Sequence, residues 1–470
     1  MKKISILILA VVLFNSAQAM TKVTCVCAGI TWGSFTEENE NDSFPGQLQT
    51  LLDNEYEVRN FEVGGCTMLK NGNSPYWKTT EYHRALQSDP NIVFIDLGEN
   101  DSKWINRPYL KEIKQDCQDM IVSFQQLPSH PHVIVMLPVV SFVTDTTGIW
   151  DPAIVKLVIP GLQQAAYTKG VEVLDMHQLL INHPELLPDK IHPDKAGSAI
   201  LAKRLYKLLM QTRDEKFDIL PKLPASCQIS SFNGYACTDF TYAGRACKVV
   251  KPKWVDKGHP WIWRARFWAH QPQTDIALLE RGFHLVYCNV IELFGNNESV
   301  KIWNDFYSLM QRAGLSKKVA LEGTSRGGVY ALNWAAENPK KVNAVYLDNS
   351  VLDLRSWPGG INNEAKCTDD LEALKRDFQL KTYEDLKKFK GSPVNKVKRI
   401  LKGKYPILIL CADADEVVPP AENTLIFEQK VKALNGNITV IHKPGFKHHT
   451  HSFPNPEPIV SFILTATGYD

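Results

Sequence analysis

The chain has 470 residues, 44% hydrophobic and 22% charged, with a formal net charge of +2 and an isoelectric point near 7.9. That length fills two domains with sizeable cores, and the interleaving of acidic and basic residues excludes a basic face for nucleic acid. Beyond the N-terminus no apolar run is long enough to span a bilayer.

Met1-Lys2-Lys3, the apolar stretch Ile4 to Phe14 and the small residues up to Ala19 read as a signal peptide cleaved before Met20. The protein is therefore expected to be exported, periplasmic or extracellular, with no membrane insertion after cleavage. Ten Cys in an oxidising compartment allow disulfides, and Cys237 with Cys247, flanking a hairpin turn at Thr241 to Arg245, form the best-placed pair. Neither a CxxC pair nor a zinc-type spacing occurs, so no metal and no cofactor are expected.

From Lys22 to Leu209, strand-like runs at Val23 to Cys27, Ile92 to Leu97, Val133 to Leu137 and Val171 to Leu174 alternate with helical stretches, which predicts an α/β domain on a parallel sheet. Arg213 to Ser226, broken by Pro221 and Pro224, reads as a linker. A second alternation has strand candidates at Phe283 to Cys288, Val319 to Glu322, Ala344 to Leu347, Ile407 to Cys411 and Ile438 to His442. The expected division is a signal peptide (1–19), a first domain (20–212), a linker (213–226) and a second domain (227–470), each domain a three-layer α/β/α unit.

The chemistry concentrates in the second domain. Lys318 to Glu322 runs into Gly323-Thr324-Ser325-Arg326-Gly327, and Val329 to Asn338 reads as a helix. This is GxSxG in strand-turn-helix context, where the sharp turn lifts a serine hydroxyl clear of the sheet. Such a hydroxyl needs a base held by a carboxylate, in the chain order Ser, Asp, His. The loop after Ile407 to Cys411 supplies Asp415, with Asp413 and Glu416 as competitors. Lys443 to His451 supplies His448, with His449, His451 or a metal cluster as alternatives.

Trp261 to Asp470 resembles α/β-hydrolase-fold esterases, and within them an exported carbohydrate-esterase-like group. The resemblance is carried by Pro260 to Phe267, Asp275 to His284, the Ser325 elbow and His448 to Ser452. It implies that Trp261 to Arg266 follows an early strand and faces the active site, and that backbone N–H groups of Arg326 and Arg264 hold the oxyanion. Ser followed by Arg also resembles glucuronoyl esterases. Arg264, Arg266 and Arg326 are thus candidate ligands for a carboxylate. Trp261, Trp263, Phe267, Trp268, Trp303, Trp334 and Trp357 are candidates to stack on sugar rings, with at least half expected in the core.

Lys22 to Met210 resembles the SGNH/GDSL esterases, a flavodoxin-like fold. Val26 to Gly33 stands at their first block, Gly65 at the second, Asn100 at the third, and Asp189 with His192 at the last. Gly29 occupies the place of the serine nucleophile and Ala28 that of the residue before it. Without a hydroxyl no acyl-enzyme forms, and Thr31 and Ser34 stand away from the expected strand end. The first domain is read as degenerate, a sugar-binding or structural partner.

Together these readings predict a serine esterase acting on a polysaccharide or oligosaccharide ester, by preference a uronic-acid methyl ester as in pectin, with an O-acetyl sugar ester as the alternative. A serine peptidase could use the same triad, but the first domain does not resemble a propeller. A non-catalytic glycan-binding protein would require both sites to be dead.

Overall fold

The computed structural model describes residues 20–29, 39–224, 227–361 and 368–469; the expected signal peptide, Thr31, Ser34 and the last two linker residues lie outside them. Fourteen strands are found among the described residues, in two sheets. The first has the order β2-β1-β3-β4-β5, formed by Tyr56–Glu62, Thr21–Cys27, Ile92–Asp96, His132–Leu137 and Glu172–Asp175, all parallel. β1, β3 and β4 are near-continuous apolar runs because helices cover both faces. Phe44 and Leu48 of one helix and Leu201, Leu205 and Leu208 of another close one face. The helices Ile113–Gln125 and Ile159–Lys169 close the other. β2 was not legible in the sequence because YEVRNFE is a half-exposed edge strand.

The second sheet has the order β14-β13-β12-β11-β9-β10-β8-β7-β6. Its strands are β6 (Gln228–Phe232), β7 (Tyr235–Tyr242), β8 (Arg245–Val250), β9 (Trp261–Arg264), β10 (His284–Cys288), β11 (Val319–Thr324), β12 (Val342–Asp348), β13 (Ile407–Ala412) and β14 (Ile438–Lys443). The pairings from β10 through β14 are parallel and those among β6, β7, β8 and β10 antiparallel. Trp303 and Phe306 of the helix Asn297–Arg312, with Trp334 of Gly327–Glu337, fill one face. Helices Gln273–Leu279 and Glu457–Thr467 cover the other. The fold is α/β with helices on both faces of each sheet, and Trp261 to Arg264 is itself a central strand rather than the segment after one.

The hairpin at Thr241 to Arg245 forms, with Ala243 at φ 49° and Gly244 at φ 76°, the left-handed pair that a two-residue turn requires. The expected Cys237–Cys247 disulfide does not. Cys237 pairs with Val250 and Cys247 with Phe240, and the two thiols enter cores on opposite faces of the sheet. Cys247 instead stands opposite Cys288 across the β8–β10 ladder, and both are free thiols.

The two sheets are joined by buried polar contacts. Glu280 accepts from the Asp175 N–H at 3.2 Å and from Arg204 at 3.2 Å, and beside it, within the second half, Arg281 pairs with Glu457 at 2.7 Å. A pocket lies between the halves, lined in part by Tyr167, Arg204, Tyr235 and Arg281. The turn between β6 and β7 presses onto Tyr167 so closely that a Cβ on Gly234 would fall 1.7 Å from its ring. The expected linker is packed as well, with Asp214 bonded to Val255 and to His259.

Burial pushes the Glu280 carboxyl up to about 7 from an ordinary 4.5, against the pull of Arg204. The folded chain keeps this proton where the unfolded chain has released it. Its contribution to stability is therefore full below about pH 4.5 and is lost as pH rises towards 7. Thermal midpoints measured from pH 4.5 to 8 should fall less steeply for Glu280→Gln than for the parent, whatever the offset between the two curves.

Candidate active site

β11 ends at Thr324, Ser325 takes φ 49°, and the helix begins at Gly327. The glycines make this turn possible by close approach: a Cβ on Gly323 would lie 2.8 Å from the Gly328 Cα, and one on Gly328 would lie 2.6 Å from the Ser350 Cβ. The Ser325 N–H donates to the Asp348 carbonyl at 2.9 Å, which fixes the strained residue.

The structure brings Ser325, His448 and Asp415 into one hydrogen-bonded line. Ser325 Oγ lies 3.0 Å from His448 Nε2, and His448 Nδ1 lies 2.7 Å from Asp415 Oδ2. Asp415 is buried, and its other oxygen accepts the N–H groups of Val417 at 2.9 Å and Val418 at 2.8 Å. The carboxylate is thereby fixed to orient the imidazole. The competitors are engaged elsewhere or exposed. Asp413 bonds His442 at 2.7 Å in solvent, and Glu416 and His449 are exposed. His451 is buried with its Nδ1 3.4 Å from Asp348.

Two positioning residues escaped the sequence reading. Asn349 accepts the Ala412 N–H at 2.9 Å and donates to the His448 carbonyl at 2.9 Å, so it ties the end of β13 to the histidine loop. Asp348 gathers Lys443 at 3.2 Å, the Tyr346 hydroxyl at 2.9 Å, His451 and the Ser452 N–H. Burial pushes its carboxyl up, but these partners outweigh that and hold it below the usual range. The available signal was their place, Asp348-Asn349, at the end of an apolar strand beside the elbow.

The three arginines separate. Arg264 is 2% exposed, and its guanidinium is spent inside the protein on Asp275, Glu322 at 2.9 Å, the Phe267 carbonyl at 3.1 Å and the His270 carbonyl. Burial pushes the Glu322 carboxyl well up, against the pull of Arg264. As the last residue of β9, in register with Glu322, Arg264 is part of the sheet and is neither a substrate ligand nor an oxyanion donor. Its role is to hold the loop from Ala265 to Gln271, where Phe267, Ala269 and Gln271 all have positive φ. Arg326 pairs with Asp370 and packs 5.2 Å over Trp357. Arg266 donates to the Ile291 carbonyl at 3.2 Å, while its buried Nε has no partner among the described residues.

The backbone N–H groups of Arg326 and Arg266 likewise have no acceptor among the described residues. The Arg266 nitrogen lies 3.8 Å from where a Cβ on Gly327 would stand, beside the elbow. This geometry moves the second expected oxyanion donor from Arg264 to Arg266. Of the candidate aromatics, Trp261, Trp263, Trp303 and Trp334 are fully buried and pack on one another, Trp263 stacked on Trp261 and Trp303 and tilted against Trp334. Trp268 packs on Phe232 and Tyr287, Phe267 lies 4.9 Å from Arg266, and Trp357 stands beside Arg326. Among the described residues, the side chains able to gather round a metal are Cys411, Asp413 and His442, with ligand atoms within 4.8 Å of one another, outside the Ser-His-Asp line.

In the first half, His192 Nδ1 lies 2.6 Å from Asp189 Oδ2, and Asp189 Oδ1 accepts the Ile191 and His192 N–H groups at 3.0 and 2.7 Å. Gly29, Gly65 and His192 line one open cleft, and the buried Asn100 donates to the Ala28 carbonyl at 3.3 Å. The structure thus brings these five residues to one place.

Residues 30–200 match the GDSL-like Lipase/Acylhydrolase family. The chain is 30% identical over 200 residues to an acetylxylan esterase of Xylanibacter ruminicola, a match that spans 39% of this chain and 42% of that enzyme's length. Among solved structures it is similar to an S-formylglutathione hydrolase from Agrobacterium tumefaciens, with TM-score 0.39, 13% identity and coverage of 52% of this chain and 99% of that one. A puromycin-hydrolyzing peptidase of Mycobacterium tuberculosis gives TM-score 0.38 and 15% identity over 52% of this chain and 39% of that one.

Proposed function

We propose that this chain, whose first half is GDSL-like, is an exported serine carboxyl-ester hydrolase that removes acyl groups from plant cell-wall polysaccharide, with hydrolysis carried out by its second half. The observation that carries the reading is the Ser325–His448–Asp415 line on a strained elbow, beside two backbone N–H groups with no acceptor among the described residues. Ser325 Oγ attacks the ester carbonyl while His448 Nε2 takes its proton. The N–H groups of Arg326 and Arg266 bind the oxyanion, and His448 returns the proton to the leaving alcohol. Water, activated by the same imidazole, then releases the acid. No step calls for a metal or cofactor.

The sugar O-acetyl ester is the substrate class best supported. Similarity to an acetylxylan esterase favours it, and the arginines offer less to a uronate than the sequence implied, since Arg264 and Arg326 already have carboxylate partners. The uronic-acid methyl ester remains a second reading, carried by the buried Arg266 Nε that lacks a partner among the described residues.

Product release from acetylated xylan and from methyl-esterified pectin, measured side by side, separates the two. Acetate from xylan is expected, with Arg266→Lys changing kcat/KM by less than about threefold, since lysine keeps both the charge and the backbone donor. Methanol from pectin would transfer the conclusion to the second reading. In that case Arg266→Lys should cost about tenfold or more, because the planar fork is lost.

A further inference from the structure

The first half places Gly29 where its His192–Asp189 pair would address a nucleophile. A Cβ built on Gly29 would stand 3.5 Å from His192 Nε2 and 3.9 Å from the Gly65 nitrogen, so a base and an amide donor face the same point. The N–H groups of Gly29 and Gly65 have no acceptor among the described residues. Asn100, 2% exposed, brings its amide to the Ala28 carbonyl next to them. Gly65 itself is open, since a Cβ there would meet nothing within 4 Å. The cleft in front encloses about 1060 Å³ including its mouth, and its walls carry Glu62 and Glu81. It is large enough for one or two sugar rings.

We propose that this cleft is a second ligand site, which binds an O-acetylated neutral sugar and does not hydrolyse it. The amide donors fit a carbonyl oxygen. A free carboxylate or a uronate would satisfy them equally, but it would stand beside Glu62 and Glu81 of the cleft wall, a like-charge arrangement that disfavours it. The same glutamates can accept hydrogen bonds from sugar hydroxyls. An ester held there meets no nucleophilic hydroxyl on residue 29, and its acyl–oxygen bond stays intact. The site would hold an acetylated polymer to the enzyme while the second half works on it, raising the local concentration of ester. The role rests on the esterase reading above; the ligand class rests on the cleft alone.

The experiment first treats the whole protein with a fluorophosphonate, which labels an activated serine, and locates the added mass by peptide mapping. The blocked protein is then titrated calorimetrically with acetylated xylobiose, unacetylated xylobiose, acetate and galacturonate. One site per chain for acetylated xylobiose is expected, with at least tenfold weaker binding of the other three. His192→Gln and Asn100→Ala should each weaken it about tenfold. Glu81→Gln, on the cleft wall and safe for the fold, should weaken it about threefold. Absence of saturable binding, binding that survives all three variants, or galacturonate binding as tightly as the acetylated sugar would overturn the proposal. Turnover by the blocked protein that disappears in His192→Gln would overturn its non-hydrolytic part. Failure of the reagent to label Ser325 would count against the esterase reading instead, and the cleft variants would still decide the second site.

Discussion

Replacing Ser325 by alanine is expected to lower kcat on an acetylated sugar by about 10⁵-fold while moving the thermal midpoint by no more than about 2 °C. The whole nucleophilic route passes through one hydroxyl 3.0 Å from His448, and nothing in the core depends on it. Asp415→Asn should cost about 10⁴-fold, because an amide cannot hold the imidazole in the productive tautomer or balance the charge it acquires. The two losses should not add in the double variant, since both residues serve one proton transfer. Initial rates of acetate release with circular dichroism melts check this directly. A Ser325→Ala protein within tenfold of the parent would move the nucleophile elsewhere.

Arg264→Met is expected to do the reverse, acting on the fold first. Removing the guanidinium leaves Asp275 and Glu322 facing each other without their cation, buried at 0% and 3% exposure. Breaking a buried pair from one side costs about 3–5 kcal/mol, which corresponds to a fall of roughly 10 °C in the midpoint of a domain this size. It also frees the carbonyls of Phe267 and His270, so the loop that carries the Arg266 N–H should loosen and kcat should drop along with stability. A substrate ligand would behave otherwise, raising KM with the melt unchanged. Melting curves and steady-state constants for the same variant tell the two apart.

The difference between these residues marks what a sequence can carry. Ser325, Asp415 and His448 were legible because each sits at the C-terminal end of an apolar run, where topology sends parallel strand ends to one edge of the sheet. Which of Asp413, Asp415 and Glu416 turns inward depends on N–H groups two and three residues ahead, and no pattern of types reveals that. Arg264 was misread for a related reason. Its partners Asp275 and Glu322 lie 11 and 58 residues away, and only the fold puts them against it. The cysteines repeat the lesson: 237 and 247 are near in sequence but on opposite faces, while 288, reached through β9 and a helix, is the true neighbour of 247. Edge strand β2 was hidden because half-exposed positions mix polar and apolar residues.

The seam between the halves makes the second depend on the first. Glu280 is bonded from across it by the Asp175 N–H and by Arg204, and the ring of Tyr167 fills the hollow left by Gly234. A chain shortened to start near residue 228 would expose Tyr235 and strand Glu280 without the Arg204 guanidinium, so the second half is not self-sufficient in the energetic sense. Joined in this way, the first half is masonry for the second. That load falls on the seam, and the cleft at Gly29 is lined by other residues.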